Sequence, residues 1–216
     1  MTLDSTILIA VPVAALSAAA HECAHAVAAR ACSVPSARDA GRGALDPRPR
    51  LDVLGSILVP AALTLAHAPV VFAWGRPAPL EPAGLRRPHD DAVRVALAGP
   101  LASLALALGC AGLARLAAGA PSPLPGAIAR AGVMWNCALA LFHLIPIPPL
   151  DGAWVLMRFL RLRHILALRA FQVPALALVV LLALVPGASS RMFAGSLRLA
   201  VSGCLALFGV PPGPAR

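Results

Sequence analysis

The hydrophobic residues of this chain come in long uncharged runs, and the polar residues are gathered between them. The runs cover residues 5–29, 53–74, 95–114, 131–150 and 170–190, with a weaker sixth over 192–210 that Arg198 interrupts. The first is unbroken in charge except for Glu22, which sits near its C-terminal end between His21 and His25. A helix needs about 20 residues to cross a bilayer core, so runs of this length predict membrane-spanning helices rather than strands. The expected fold is all-α and polytopic, with about six transmembrane helices. Prolines modify the pattern. The fourth run ends in Pro146-Ile147-Pro148-Pro149, followed by Asp151-Gly152. Proline removes a backbone donor and disfavours helix in the residue before it, so the fourth helix should break there and resume near Ala153.

Composition narrows the class further. Hydrophobic residues make up 59% of the 216 positions and charged residues 12%, with a mean hydropathy of +0.82. A soluble globule of this length could not hide so much apolar surface, and a disordered chain is neither so apolar nor so poor in charge. The length fits a single membrane domain over 1–216. The net charge of +9 comes from 18 basic residues, all of them Arg, clustered at the edges of the apolar runs. That distribution fits helix flanks at a membrane surface rather than nucleic-acid binding. The five cysteines form no Cys-x-x-Cys pair, so free thiols are expected and not a disulfide framework or a thiolate metal site. Residues 16–20 resemble a signal cleavage region, but no positive segment precedes them; the first run is therefore expected to stay in place.

The chemistry begins at His21-Glu22-Cys23-Ala24-His25, which has the pattern H-E-x-x-H. On a helix, positions i and i+4 share a face, so both imidazoles can grip one metal ion. Glu22 follows the first ligand and can act as general base toward a water on that metal. An ionisable residue inside a membrane span costs about 3 kcal/mol and usually has a function. From His25 to Arg30 is five residues, or about 7.5 Å of helix rise, which puts the site inside the membrane near the face that carries loop 30–52. A catalytic zinc takes three protein ligands and leaves one position open. The third ligand has to come from another segment. Asp151, bordering the fourth run, is an acidic residue placed to supply it, whereas Asp52, bordering the second, reads as structural.

Three segments taken together resemble the site-2 protease family of intramembrane zinc metalloproteases, in its short bacterial form. They are His21-Glu22-x-x-His25, Ala98-Gly99-Pro100-Leu101-Ala102, and Leu144-Ile145-Pro146-Ile147-Pro148-Pro149-Leu150-Asp151-Gly152. The loop from Gly41 to Gly55 and the stretch Trp74-Gly75-Arg76-Pro77-Ala78-Pro79 are similar to the family as well. The resemblance covers roughly residues 10–160. It implies a protease core over 5–160 with accessory helices over 165–210, and a small β-hairpin in the loop after the first helix. It also implies Zn2+ held by His21, His25 and Asp151, with Glu22 as the base. The implied substrate is the transmembrane segment of another membrane protein, and the implied location is the bacterial cell membrane with the site nearer the cytosol.

Two positions depart from the family pattern. The family usually has Asn just before the Leu-x-Pro stretch, where this chain has His143; its Gly-Pro-Leu-x-Asn pattern ends here in Ser103. His143 is expected to face the same cavity as Asp151. Its preferred role is a hydrogen-bond donor to substrate or oxyanion in place of the Asn, and its other role is a fourth zinc ligand. The competing functional readings are a zinc-binding pseudoprotease that recognises membrane helices without cutting them, and a transporter or channel. Arg counts on the two faces are similar and do not orient the chain.

Overall fold

The description rests on a computed structural model and covers residues 3–32, 46–65, 73–76, 85–174, 177 and 188–211. Helix α1 runs over Leu3–Ala31, and α2 (Val59–Leu65) continues from a π-helical segment at Val53–Leu58. Helix α3 spans Pro88–Leu116, α4 Leu124–His143, α5 Asp151–Met157, α6 Leu162–Ala170 and α7 Ala188–Ala206. No strand occurs among the described residues, and the expected β-hairpin falls largely on residues 33–45, outside them.

Three helical stretches among the described residues are long and apolar enough to cross a membrane: Ile7–Ala31, Pro88–Gly119 and Leu124–His143. The second run appears as a shorter apolar helix, Val53–Leu65, and the sixth as Ala194–Ala206 within α7. The fifth run lies mostly outside the described residues. The described structure therefore carries three of the six expected spans at full length. The second begins where expected, at Val53, with Asp52 accepting a hydrogen bond from the Leu54 amide at its start, and residues 66–72 of that run lie outside the described residues. The fourth run does break. Helix α4 stops at His143, the Pro-rich stretch follows, and helix resumes at Asp151, two residues before the expected Ala153. Gly152 lets that turn close, because a Cβ there would collide with the backbone carbonyl of Leu144.

Helices α1, α3 and α4 pack against one another, and α7 packs on α3 and α4. Their contact surfaces are built from small residues. Ala10, Ala14 and Ala18 of α1 meet Trp135 and Leu139 of α4. Ala107, Ala111 and Ala114 of α3 meet Ala129, Val133, Cys137 and Ala138. In lipid there is no hydrophobic drive between helices, so such surfaces gain stability through close van der Waals approach. Gly132 shows how close: a Cβ there would come within 2.5 Å of the Cys110 sulfur. Asn136 adds a polar link, donating from Nδ2 to Ser17 Oγ at 3.0 Å between α4 and α1.

A short extended segment, 73–76, lies against the start of the π-helical stretch. Trp74 donates from its amide to the Gly55 carbonyl and from Nε1 to Asp52 Oδ2, both at 3.1 Å. Ser56 Oγ donates to the Trp74 carbonyl at 2.8 Å. Arg76 donates its amide to the Arg50 carbonyl at 2.7 Å. Asp52 thus has the structural role expected of it. On the same side, and outside the membrane segments, Arg48 bonds Asp46 and holds its carboxyl below the ordinary range.

Candidate metal centre

Five side chains expected at the site come from three helices. His21, Glu22 and His25 lie on α1, His143 ends α4 and Asp151 opens α5. The imidazoles are almost wholly buried, at 1% exposure for His21, 7% for His25 and 8% for His143. The ligating atoms of His21, His25, His143 and Asp151 all fall within 4.8 Å of one another. His21 Nε2 is 3.1 Å from Asp151 Oδ2, His25 Nε2 is 3.2 Å from it, and His143 Nδ1 is 2.9 Å from it.

The far side of each α1 imidazole decides what the near side can do. His25 donates from Nδ1 to the Val95 carbonyl at 2.8 Å. A carbonyl only accepts, so the proton of neutral His25 is on Nδ1 and Nε2 carries a bare lone pair. That atom is buried and has no hydrogen-bond partner, since its approach to Asp151 lacks hydrogen-bonding geometry. His21 is held in the same way, with Nδ1 2.9 Å from the buried Ser103 hydroxyl. Outer partners of this kind fix the tautomer and orientation of metal-ligating histidines.

This geometry fits a metal ion. Three ring nitrogens crowd one carboxylate oxygen, and one of them is a lone pair that the oxygen cannot satisfy. Tetrahedral bonds of about 2.1 Å place ligand atoms about 3.4 Å apart, close to the 2.9–3.2 Å between each imidazole and Asp151. Imidazole and carboxylate donors suit zinc. Gly99 makes room for the group, because a Cβ there would collide with Nε2 of both His21 and His25. Any larger residue would fill the space in which the two lone pairs meet.

Glu22 is buried at 5% exposure, next to His21 in sequence. Its neighbour is the extended segment: a Cβ on Gly75 would lie 2.7 Å from Glu22 Cγ and 2.7 Å from the Arg50 carbonyl. Gly75 therefore brings a run of backbone up against the acid of the H-E-x-x-H pattern. Sequence reasoning did not assign Val95, Gly99 or Gly75 to the site. Their roles depend on contacts between segments about 50 to 80 residues apart, and only the Gly in an apolar span offered a local signal.

Along its sequence the chain is similar to the candidate zinc metalloprotease YwhC of Bacillus subtilis (strain 168), with 33% identity over 144 residues. The match covers 61% of this chain and 60% of that protein, so the chain spans about three fifths of its relative. No family model matches the chain. No solved structure matches it either.

Proposed function

We propose that this chain is an intramembrane zinc metalloprotease of the site-2 type, hydrolysing peptide bonds in or near the transmembrane segments of other membrane proteins. The observation that carries this reading is the buried convergence of His21, His25 and Asp151, with Glu22 one residue from the first ligand. The similarity to YwhC supports zinc peptidase chemistry. The long apolar helices that carry the site support a substrate met inside the bilayer.

Zinc bound there supplies Lewis acidity and makes water acidic enough to lose its proton near neutral pH. The protein does the rest. Ser103 and Val95 hold the two α1 imidazoles with their Nε2 atoms inward. Glu22 takes the proton from the attacking water and returns it to the leaving amine. The irregular stretch between His143 and Asp151 is tolerable at membrane depth where it borders a wet cavity, which hydrolysis needs. The implied setting is the bacterial cell membrane, with the site opening toward the cytosol.

The test is Glu22→Gln in the full chain, with zinc content and cleavage of a membrane-spanning reporter measured on the same preparation. The expected result is one zinc per chain with cleavage abolished, because the amide cannot accept the proton. Cleavage at the wild-type rate would remove Glu22 from the mechanism. A wild-type chain that binds zinc but cuts no membrane-spanning reporter would favour the pseudoprotease, and one that binds no zinc would favour a transporter.

A further inference from the structure

We infer that His143 is a fourth protein ligand that closes the metal position at rest and has to withdraw before substrate can enter it; this rests on the metalloprotease reading above. His143 Nδ1 reaches the same carboxylate oxygen as the two α1 imidazoles and approaches it most closely, at 2.9 Å. Its ring centroid lies 4.3 Å from that of His21, nearer than His25 at 4.8 Å. A hydrogen-bond donor that served only substrate would stand beside the donor set. His143 stands within it.

The three imidazoles are not held alike. His21 and His25 each have the ring nitrogen opposite the site fixed, by Ser103 and by Val95. Among the described residues, His143 makes hydrogen bonds through Nδ1 alone. Its backbone is also the last of α4, followed by the irregular turn over Leu144–Leu150. Two ligands are therefore braced and one is tethered at a helix end. A tetrahedral site with four protein ligands is of the closed, structural kind, whereas catalysis requires an open position. Exchange of Nδ1 for water or a substrate carbonyl opens it without redox change. Access to the site then depends on the fraction of molecules in which His143 has let go.

The test counts ligands on the metal. X-ray absorption of the full-length, zinc-loaded wild type in detergent should give three imidazoles and one oxygen, and His143→Asn should give two imidazoles. With cobalt(II) in place of zinc, azide should perturb the visible spectrum weakly in wild type. It should bind about tenfold or more tightly in His143→Asn and His143→Ala, as expected when a ligand present in about nine tenths of molecules is removed. A wild-type site with two imidazoles, and equal azide affinity in all three proteins, would overturn the inference while leaving the protease reading intact. Absence of stoichiometric zinc from wild type would overturn both. The wild-type imidazole count decides even if the variants fold poorly.

Discussion

The Ser103 hydroxyl of α3 meets Nδ1 of His21 on α1 at 2.9 Å, fully buried and 82 residues away in sequence. A hydroxyl there accepts the imidazole proton and leaves Nε2 free for a metal. The bond is at once a packing contact between two membrane helices and a support for the site.

Removing that support should weaken the metal without dismantling the fold. Ser103→Ala is expected to lower zinc affinity by about 10- to 100-fold, the range for a lost outer-shell partner. Competition with a chelator of known affinity measures it, and helix content by circular dichroism should be unchanged. Unaltered zinc affinity would mean that His21 needs no such partner.

Gly99→Ala should act by collision. The added methyl meets Nε2 of both His21 and His25, so α3 must retreat or the imidazoles must turn. Overpacking costs about 1–3 kcal/mol, which is about 5- to 150-fold in zinc affinity. Gly109, whose Cβ would meet nothing within 4 Å, supplies the control: Gly109→Ala should bind zinc as wild type does.

Asp151→Asn should reduce zinc occupancy, because the neutral amide replaces the anionic ligand among three imidazoles. Metal analysis after dialysis against a weak chelator reads the loss. Full occupancy in this variant would remove Asp151 from the ligand set.

The packing of α7 on α4 can be checked chemically. Cys137 and Cys204 face each other with their sulfurs 3.9 Å apart. A small membrane-permeant oxidant such as diamide should join them, taking two electrons and two protons from the thiols. Peptide mass spectrometry should find the Cys137–Cys204 link in wild type and none in Cys204→Ser. Cys110–Cys137 as the main product would mean that α7 sits elsewhere.

Much of the centre was legible in the sequence because its ligands are polar residues stranded in apolar runs. His21, Glu22 and His25 share one helix, so their geometry follows from a helical period. The end of α4 was legible for a similar reason, since the prolines after His143 forbid its continuation. Ser103, Val95 and Gly99 were not assigned. Val95 contributes a backbone carbonyl, which any residue carries, and Gly99 contributes an absent side chain. Both matter only once α3 lies across α1, and no local pattern specifies that crossing. His143 was placed at the cavity, but its two roles differ by where a ring points. That depends on packing and not on spacing. The second run illustrates the converse: its hydropathy reads as one span, while Asp52 and the backbone bonds to Trp74 shape its beginning locally.

The donor set also has a mechanical consequence. Its members come from residues 21–25 and from residues 143–151, so a bound ion would join the two ends of a loop of more than 100 residues. A cross-link of that length restricts the unfolded chain far more than the folded one, and an ion that binds only the folded state adds its binding free energy to stability. The chain stripped by a chelator should then melt at lower temperature and be nicked faster by added protease, with Asp151 parting from His21 and His25 first. Supply of the metal would in that way govern how long the protein survives in its membrane, quite apart from whether it can cut.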